Sequence, residues 1–326
     1  MEKSYTDDMV ANRRHLHKRP EEGWTEFETT YFVYQYLTAL GLPVSVGKAN
    51  INEKEVLGRD EKLVADGMKR ALTHGVPQAF LDKTEGYTGC VAVLDTGRPG
   101  PVTAFRSDMD CVLVRETDDP EHLPNKLGFA SERPGFMHAC GHDGHTAVGL
   151  EVARWLVENK DKLCGKFKCI FQPAEEGVRG ARAMAAAGIV DDVDYFISGH
   201  VGGAAKLGEI GVMDGGFLAS TKFDVDIEGT PAHAGNAPQL GHSALMAACA
   251  ASMMLAGIPR NGDGETRVSV GTLQAGEGRN VVPAHARLQM EVRGETEEVN
   301  QYMGAYVYDI FAGVDKAYRV KSTVTQ

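Results

Sequence analysis

Apolar residues recur at helical spacing from about Asp7 to His17 and again from about Thr25 to Leu40. Pro20 separates the two runs and Gly41 ends the second, so the chain is predicted to open with two helices. A charged stretch from Lys48 to Glu85 follows; it predicts a helix around Lys62 to Leu72 and reads as an insertion packed on the surface, where it could shape a substrate mouth. Continuous apolar runs at Thr88–Leu94 and Val102–Phe105, on either side of the turn Gly97-Arg98-Pro99-Gly100, predict buried strands. An amphipathic helix is expected at Thr146–Val157, a strand at Phe167–Phe171, a helix at Arg179–Ala187 and a strand at Tyr195–Ser198. That rhythm of strand and helix predicts an α/β sheet.

The periodicity changes between Asp214 and Ser220, where a Gly-rich turn leads into an alternating strand, Lys222–Glu228. A helix (His242–Ala256), two strands (Arg267–Leu273 and Ala286–Arg293), a helix (Thr296–Phe311) and a strand (Tyr318–Thr325) come next. This β-α-β-β-α-β order predicts a ferredoxin-like unit, a four-stranded antiparallel sheet with two helices on one face. Two domains are therefore expected, residues 1–217 and 218–326.

Composition narrows the class. With 326 residues, 43% hydrophobic and 24% charged, the chain can build two cores. The balance of 45 acidic against 34 basic residues, a formal charge of -11, argues against nucleic acid or an anionic membrane as partner and leaves small molecules. The N-terminus has no apolar targeting region and no apolar run nears the roughly 18 residues of a membrane span, so a cytoplasmic location is expected. Six cysteines without a CxxC pair argue against a disulfide framework, and most are expected to be small buried apolar residues.

The candidate chemistry sits in two segments, MHACGHDGHTA (Met137–Ala147) and FQPAEEG (Phe171–Gly177). Thiolate, imidazole and carboxylate are the donor set of a first-row divalent cation. Cys140 and His142 flank Gly141 in a loop at the carboxyl end of the strand region, where α/β sheets place their sites, and Asp143 reads as the cap of the helix that follows. Glu175 and Glu176 follow a strand end, and consecutive side chains there can point differently: one can bind metal while the other faces the attacking water as general base. An acidic pair alone is usually a solvated turn, and a lone histidine after a strand is usually structural. His200, just beyond Tyr195–Ser198, becomes a ligand candidate because it is the third strand end to converge. His138 could support a ligand from behind, and His145 is expected in the first helical turn; neither is placed on the metal.

RSDMD (Arg106–Asp110), MHACGHDGHTA, FQPAEEG, Gly199-His200, GTPAHAG (Gly229–Gly235) and GRNVVPAHARLQMEVRG (Gly278–Gly294) occur in one order. In these motifs the chain resembles the amidohydrolase branch of the M20 metallopeptidase superfamily. Within that branch it is most similar to the aminobenzoyl-glutamate hydrolases, through LDTGRPGPV, GARAM, VDDVDYF and the charged insertion before Gly86. The resemblance implies a zinc-peptidase-like catalytic domain, a mixed sheet between helices, joined to a lid and dimerisation domain. It implies two divalent ions, manganese or zinc, held by Cys140, His142, Glu176 and His200, with Glu175 as general acid/base. Asp108 and Asp110 would support the ligands, although Cys111-Val112 replaces the usual Ala-Leu after them. In the lid, the resemblance assigns substrate binding to His233, Asn280 and Arg293, with His233 reaching the site of a partner subunit. It implies hydrolysis of an N-acyl amino acid amide, p-aminobenzoyl-glutamate in particular, or deacylation of other N-acyl amino acids. Assembly is expected as a homodimer through the lid or as a heteromer with a related B subunit.

Members of the family resume the catalytic domain after the lid and place a last metal-ligand histidine near its C-terminus. Nothing up to Gln326 matches that segment, so the expectation is an incomplete catalytic domain: a truncated or split chain, a site completed by another chain, or a non-catalytic assembly subunit.

Overall fold

The computed structural model describes residues 5–202, 205–213 and 215–326. Two compact units emerge, Met1–Glu209 and Ile210–Gln326. Asp214, where the change of pattern is placed, lies outside the described residues.

The first unit opens with helices α1 (Tyr5–Lys18) and α2 (Phe27–Ala39), then a short strand β1 (Val44–Val46) and helices α3 (Glu61–Thr73) and α4 (Gln78–Thr84). Strands β2 (Cys90–Asp95) and β3 (Val102–Asp108), helices α5 (Leu123–Lys126) and α6 (His142–Glu158), strand β4 (Lys166–Gln172), helix α7 (Gly180–Ala185) and strand β5 (Tyr195–Ser198) complete it. The sheet order is β1-β2-β4-β3-β5, with β3 parallel to both β4 and β5 and the β1-β2-β4 side antiparallel. The mixed sheet has the consequence that matters here: β3, β4 and β5 end at one edge. Asp108 pairs with Gln172 across β3 and β4, and Arg106 pairs with Ser198 across β3 and β5, so the segments after these ends leave the sheet side by side.

The stretch Lys48–Glu85 is not a surface insertion. Val64, Ala71, Val76, Phe80 and Leu81 are buried in the same core as Trp24, Phe27, Leu150 and Phe171. Charged residues fill the outer face of α3, while Gly67 lets the helix approach α2; a Cβ there would lie 2.9 Å from Thr25 Cβ. Helix α6 also departs from expectation by starting at His142, so His142 and Asp143 are helical rather than loop and cap. Its cap is Gly141 at φ 93, and an added Cβ there would lie 2.5 Å from Val201 Cγ2. Only glycine suits both constraints.

In the second unit, strands β6 (Ala219–Glu228), β7 (Ala232–His233), β8 (Thr266–Ala275), β9 (Val281–Val282), β10 (His285–Gly294) and β11 (Lys321–Thr325) accompany helices α8 (Ala244–Ala256) and α9 (Glu297–Tyr318). The main sheet is fully antiparallel, in the order β11-β6-β10-β8, and β7 pairs with β9 apart from it. Phe223, Val225 and Ile227 stand opposite Met290, Leu288 and Ala286, giving one apolar face. Small residues of α8 (Ala247, Ala248, Ala251) and larger ones of α9 (Met303, Val307, Phe311) cover that face. All six cysteines are unbridged, but only Cys90, Cys111 and Cys169 are buried, fewer than composition suggested. Among the described residues no helix is long and apolar enough to cross a membrane.

Candidate metal centre

At the shared edge of β3, β4 and β5, three groups of donor atoms converge, each within 4.8 Å of one another: Cys140 with His142 and His200, Asp108 with His142 and His145, and His142 with Glu175 and Glu176. His142 belongs to all three. Its Nε2 lies 3.7 Å from Glu175 Oε2, 3.8 Å from Glu176 Oε1 and 3.9 Å from Asp108 Oδ1. Cys140 Sγ is 3.4 Å from His200 Nε2.

Protein groups around this cluster set its orientation. Asp110, fully buried, accepts the backbone N–H of Glu175 on Oδ1 and that of Glu176 on Oδ2, each at 2.9 Å, and Oδ1 also lies 3.3 Å from His142 Nδ1. One carboxylate thus fixes both glutamates and one ring. Ala174, just before them, is held at φ 48, with its N–H donated to the buried Glu26 at 2.7 Å. Burial, and then the charge of Asp110, push the Glu26 carboxyl well above the ordinary range. His145 Nδ1 faces Asp108 while its Nε2 accepts the N–H of Val201 at 2.8 Å, so both ring nitrogens are engaged and the ring anchors the loop that carries His200. His200 Nδ1 donates to the carbonyl of Val201 at 2.7 Å, which leaves Nε2 as its lone-pair nitrogen facing Cys140.

Electrostatics mark the cluster as a place for positive charge. Burial, followed by Glu176, pushes the Cys140 thiol up to about 12. Burial disfavours a charged His142, but Asp110, 3.3 Å from its Nδ1, and the charges of Asp108 and Glu176 outweigh it and raise its pKa to about 9. Burial likewise raises Glu176. His142 Nε2 and Glu176 Oε1 are buried without any hydrogen-bond partner. Orphaned buried donor atoms are rare, and ligands of one cation stand roughly 3–4 Å apart, so this donor set fits a divalent ion.

The sequence profile of Peptidase family M20/M25/M40 matches residues 104–303, a span that contains all of these ligand candidates. The chain belongs to the M20 peptidase family. A Haemophilus influenzae protein, named as a homolog of the A subunit of p-aminobenzoyl-glutamate hydrolase, is 50% identical over 315 residues, covering 96% of this chain and 74% of that protein. Indole-3-acetyl-aspartic acid hydrolase of Enterobacter agglomerans is 47% identical over 313 residues, 95% of this chain and 72% of that one. Among solved structures, the aminobenzoyl-glutamate utilization protein from Klebsiella pneumoniae superposes with a TM-score of 0.75 at 42% identity, covering 98% of this chain and 75% of that one. As an M20 amidohydrolase the chain is a metal-dependent hydrolase of amide bonds.

Cys140, His142, Glu175, Glu176 and His200 are thus brought together. His138 is not the supporting partner expected: it is buried, and neither ring nitrogen has a hydrogen bond. Asp143 is not a simple cap, since its Oδ2 lies 2.8 Å from both Arg13 Nε and His17 Nδ1. Glu26 and His17 escaped sequence reasoning; each sits in an ordinary helical pattern, and no local signal separates a buried acid or histidine from a solvated one.

In the second unit His233 and Asn280 are neighbours, because His233 pairs with Val281 across β7 and β9 and the carbonyl of Asn280 accepts the N–H of Ala234 at 2.9 Å. The Nδ1 of His233 accepts the N–H of Gly235 at 3.2 Å and of Asn236 at 3.1 Å, so Nε2 carries the proton. Arg293 lies at the far end of β10, about 27 Å along the strand from His285, which pairs with Glu228 near the start of the β7 loop. Its guanidinium is paired with Glu291 at 2.8 Å.

Proposed function

We propose that this chain hydrolyses the amide of N-acylated acidic amino acids, p-aminobenzoyl-glutamate first among them, releasing p-aminobenzoate and glutamate. The observation that carries the reading is the convergence of Cys140, His142, Glu176 and His200 around unpartnered buried donor atoms, with Glu175 beside them. The relatives at 50% and 47% identity are named for an aromatic acyl group on glutamate or aspartate.

Cys140, His142, Glu176 and His200 would hold the cations. His142 belongs to every donor group, an arrangement that suits two ions with adjoining shells, and manganese and zinc both accept this ligand set. When bound, such ions supply Lewis acidity toward the amide carbonyl and make water a stronger acid. Glu175, one-third exposed while His142 beside it is fully buried, takes the proton of the attacking water on Oε2 and returns it to the leaving nitrogen.

The first unit is the catalytic domain, of zinc-peptidase-like plan. The second, with the β11-β6-β10-β8 order of a ferredoxin-like fold, is the lid and dimerisation domain. His233 donates its Nε2–H to the developing oxyanion. Asn280 and Arg293 hold the carboxylates of the amino acid, Arg293 by exchanging Glu291 for the substrate. Because Arg293 stands at the end of β10 remote from His285, whereas His233 follows closely on the Glu228 that pairs with His285, the two serve a single substrate best from two copies of the chain. That geometry favours a homodimer over a heteromer with a related B subunit. Six unbridged cysteines fit a reducing compartment, the cytoplasm.

The test is release of the free amino acid from p-aminobenzoyl-glutamate, indole-3-acetyl-aspartate and N-acetylglutamate in manganese and in zinc. The aromatic substrates should be cleaved faster than N-acetylglutamate. Cleavage of none by metal-loaded protein would overturn the reading, and preference for N-acetylglutamate would make the chain a general deacylase.

A further inference from the structure

Glu26, which no step of the proposed reaction uses, is a fully buried acid at the start of α2. Its Oε1 accepts the N–H of Ala174 at 2.7 Å, and its Oε2 accepts the hydroxyl of Thr88, just before β2, at 2.6 Å. Burial, and then the charge of Asp110, disfavour the ionised form, so the charge itself adds little to the fold. What the carboxyl supplies is a fixed acceptor.

That acceptor meets the first of three consecutive N–H groups. Ala174 gives its N–H to Glu26, while Glu175 and Glu176 give theirs to Asp110, each at 2.9 Å. Two buried acids from distant parts of the sequence therefore grip one turn by its backbone. Ala174 is itself fully buried at φ 48, a left-handed conformation that a residue with a Cβ keeps only when its surroundings impose it. Its carbonyl accepts the N–H of Gly180 at 2.7 Å, and Gly23 comes so close that a Cβ there would lie 2.9 Å from Ala174 Cα. The kink at Ala174 ends the direction of β4 and sets where the next two side chains go. Glu175 Oε2 and Glu176 Oε1 then stand 3.7 and 3.8 Å from His142 Nε2. Without Glu26 the buried N–H of Ala174 would be orphaned, and the backbone would gain by rotating it toward another partner.

We propose that Glu26 is a positioning residue for the metal centre: by accepting the N–H of Ala174 it holds the left-handed kink that aims Glu175 and Glu176 at His142. The proposal rests on the hydrolase reading above and deepens it. The oxygens of Glu26 face Ala174 and Thr88, so it acts on the centre only through the turn, and through an acceptor atom rather than a charge.

Three variants separate positioning from general support of the fold. Glu26→Met fills the space without an acceptor. Manganese or zinc affinity, read by chelator competition, should fall about 10–100-fold, and amide exchange across residues 174–176 of the metal-free chain should quicken about tenfold. Glu26→Gln keeps an acceptor for Ala174 and can donate to the Thr88 hydroxyl, so both readings should return to within about threefold of native. Thr88→Val removes the other partner of Glu26 and should lower the melting temperature by roughly 2–6 °C, with metal affinity within about twofold of native. Should Glu26→Met fail to fold, Glu26→Asp, which withdraws the acceptor by one methylene, is expected to show the same losses. Native affinity and exchange in the variant without the acceptor, no recovery in Glu26→Gln, or an equal loss of affinity in Thr88→Val would overturn the role. A native chain that binds neither metal counts against the hydrolase reading alone, because amide exchange still decides whether Glu26 holds the turn.

Discussion

Replacing Asp110 by asparagine tests how the donor cluster is held. In the native chain both carboxylate oxygens accept backbone N–H groups, from Glu175 and Glu176, at 2.9 Å and with no solvent access. Asparagine keeps one acceptor and turns an NH2 group toward the other N–H, so one charge-assisted bond is lost and one buried donor is orphaned, about 2–3 kcal/mol. Removing the charge also relieves Glu26, whose carboxyl is pushed up by burial and then by Asp110, an offset on the order of 1 kcal/mol. The net loss of about 1–2 kcal/mol should lower the melting temperature by roughly 2–8 °C for a unit of this size. Because the same change frees His142 and the Glu175–Glu176 turn, manganese or zinc affinity should fall about 10–100-fold. Calorimetry and chelator competition measure the two. Metal affinity within twofold of the native value would refute the clamp.

Further consequences can be checked on single variants. Glu175→Gln should retain metal by elemental analysis and lose roughly 10²–10⁴-fold in turnover, since it removes the proton acceptor and leaves the other donors in place. For His17, burial disfavours the charged ring but Asp143 and Glu116 raise its pKa above the ordinary 6.5; its contribution is complete below pH 6.5 and is lost as pH rises through the raised value. The lowered carboxyls of Asp143 and Glu116 add stability above their ordinary values that is lost only as pH falls through the lowered ones. His17→Gln should therefore cost about 3–5 kcal/mol in urea unfolding below pH 6.5 and less toward alkaline pH; a gap that widens with pH would contradict the pairing. Gly149→Ala would place a Cβ 2.5 Å from Ser107 Oγ and 3.0 Å from the Phe171 ring, so a loss of about 1–3 kcal/mol is expected, and unchanged stability would show that α6 can move off the sheet.

The strand ends that build the cluster were legible because apolar runs and donor residues coincide: Phe167–Phe171 leads into Glu175-Glu176, and Tyr195–Ser198 into His200. What was not legible follows from tertiary contacts. The charges of residues 48–85 masked a buried stripe, Val64 and Ala71, since a helix with one narrow apolar face is polar on average. The start of α6 was placed too late because two glycines and three polar residues precede its apolar repeat, and only the contact between Gly141 and Val201 shows why the turn must form there. Glu26 and His17 could not be singled out, and the missing partners of His138 could not be foreseen, because burial of a lone polar residue is decided by which elements pack over it. The separation of His233 and Asn280 from Arg293 depends on strand register, to which motif order is blind.

The central claim is that a divalent ion binds where these strand ends meet. Crystals of the full chain grown with manganese or zinc, with data at the metal's absorption edge, should show anomalous density within about 2.0–2.4 Å of Cys140 Sγ, His142 Nε2, Glu176 Oε1 and His200 Nε2. Density elsewhere on the chain, or an empty cluster in metal-saturated crystals, would contradict it.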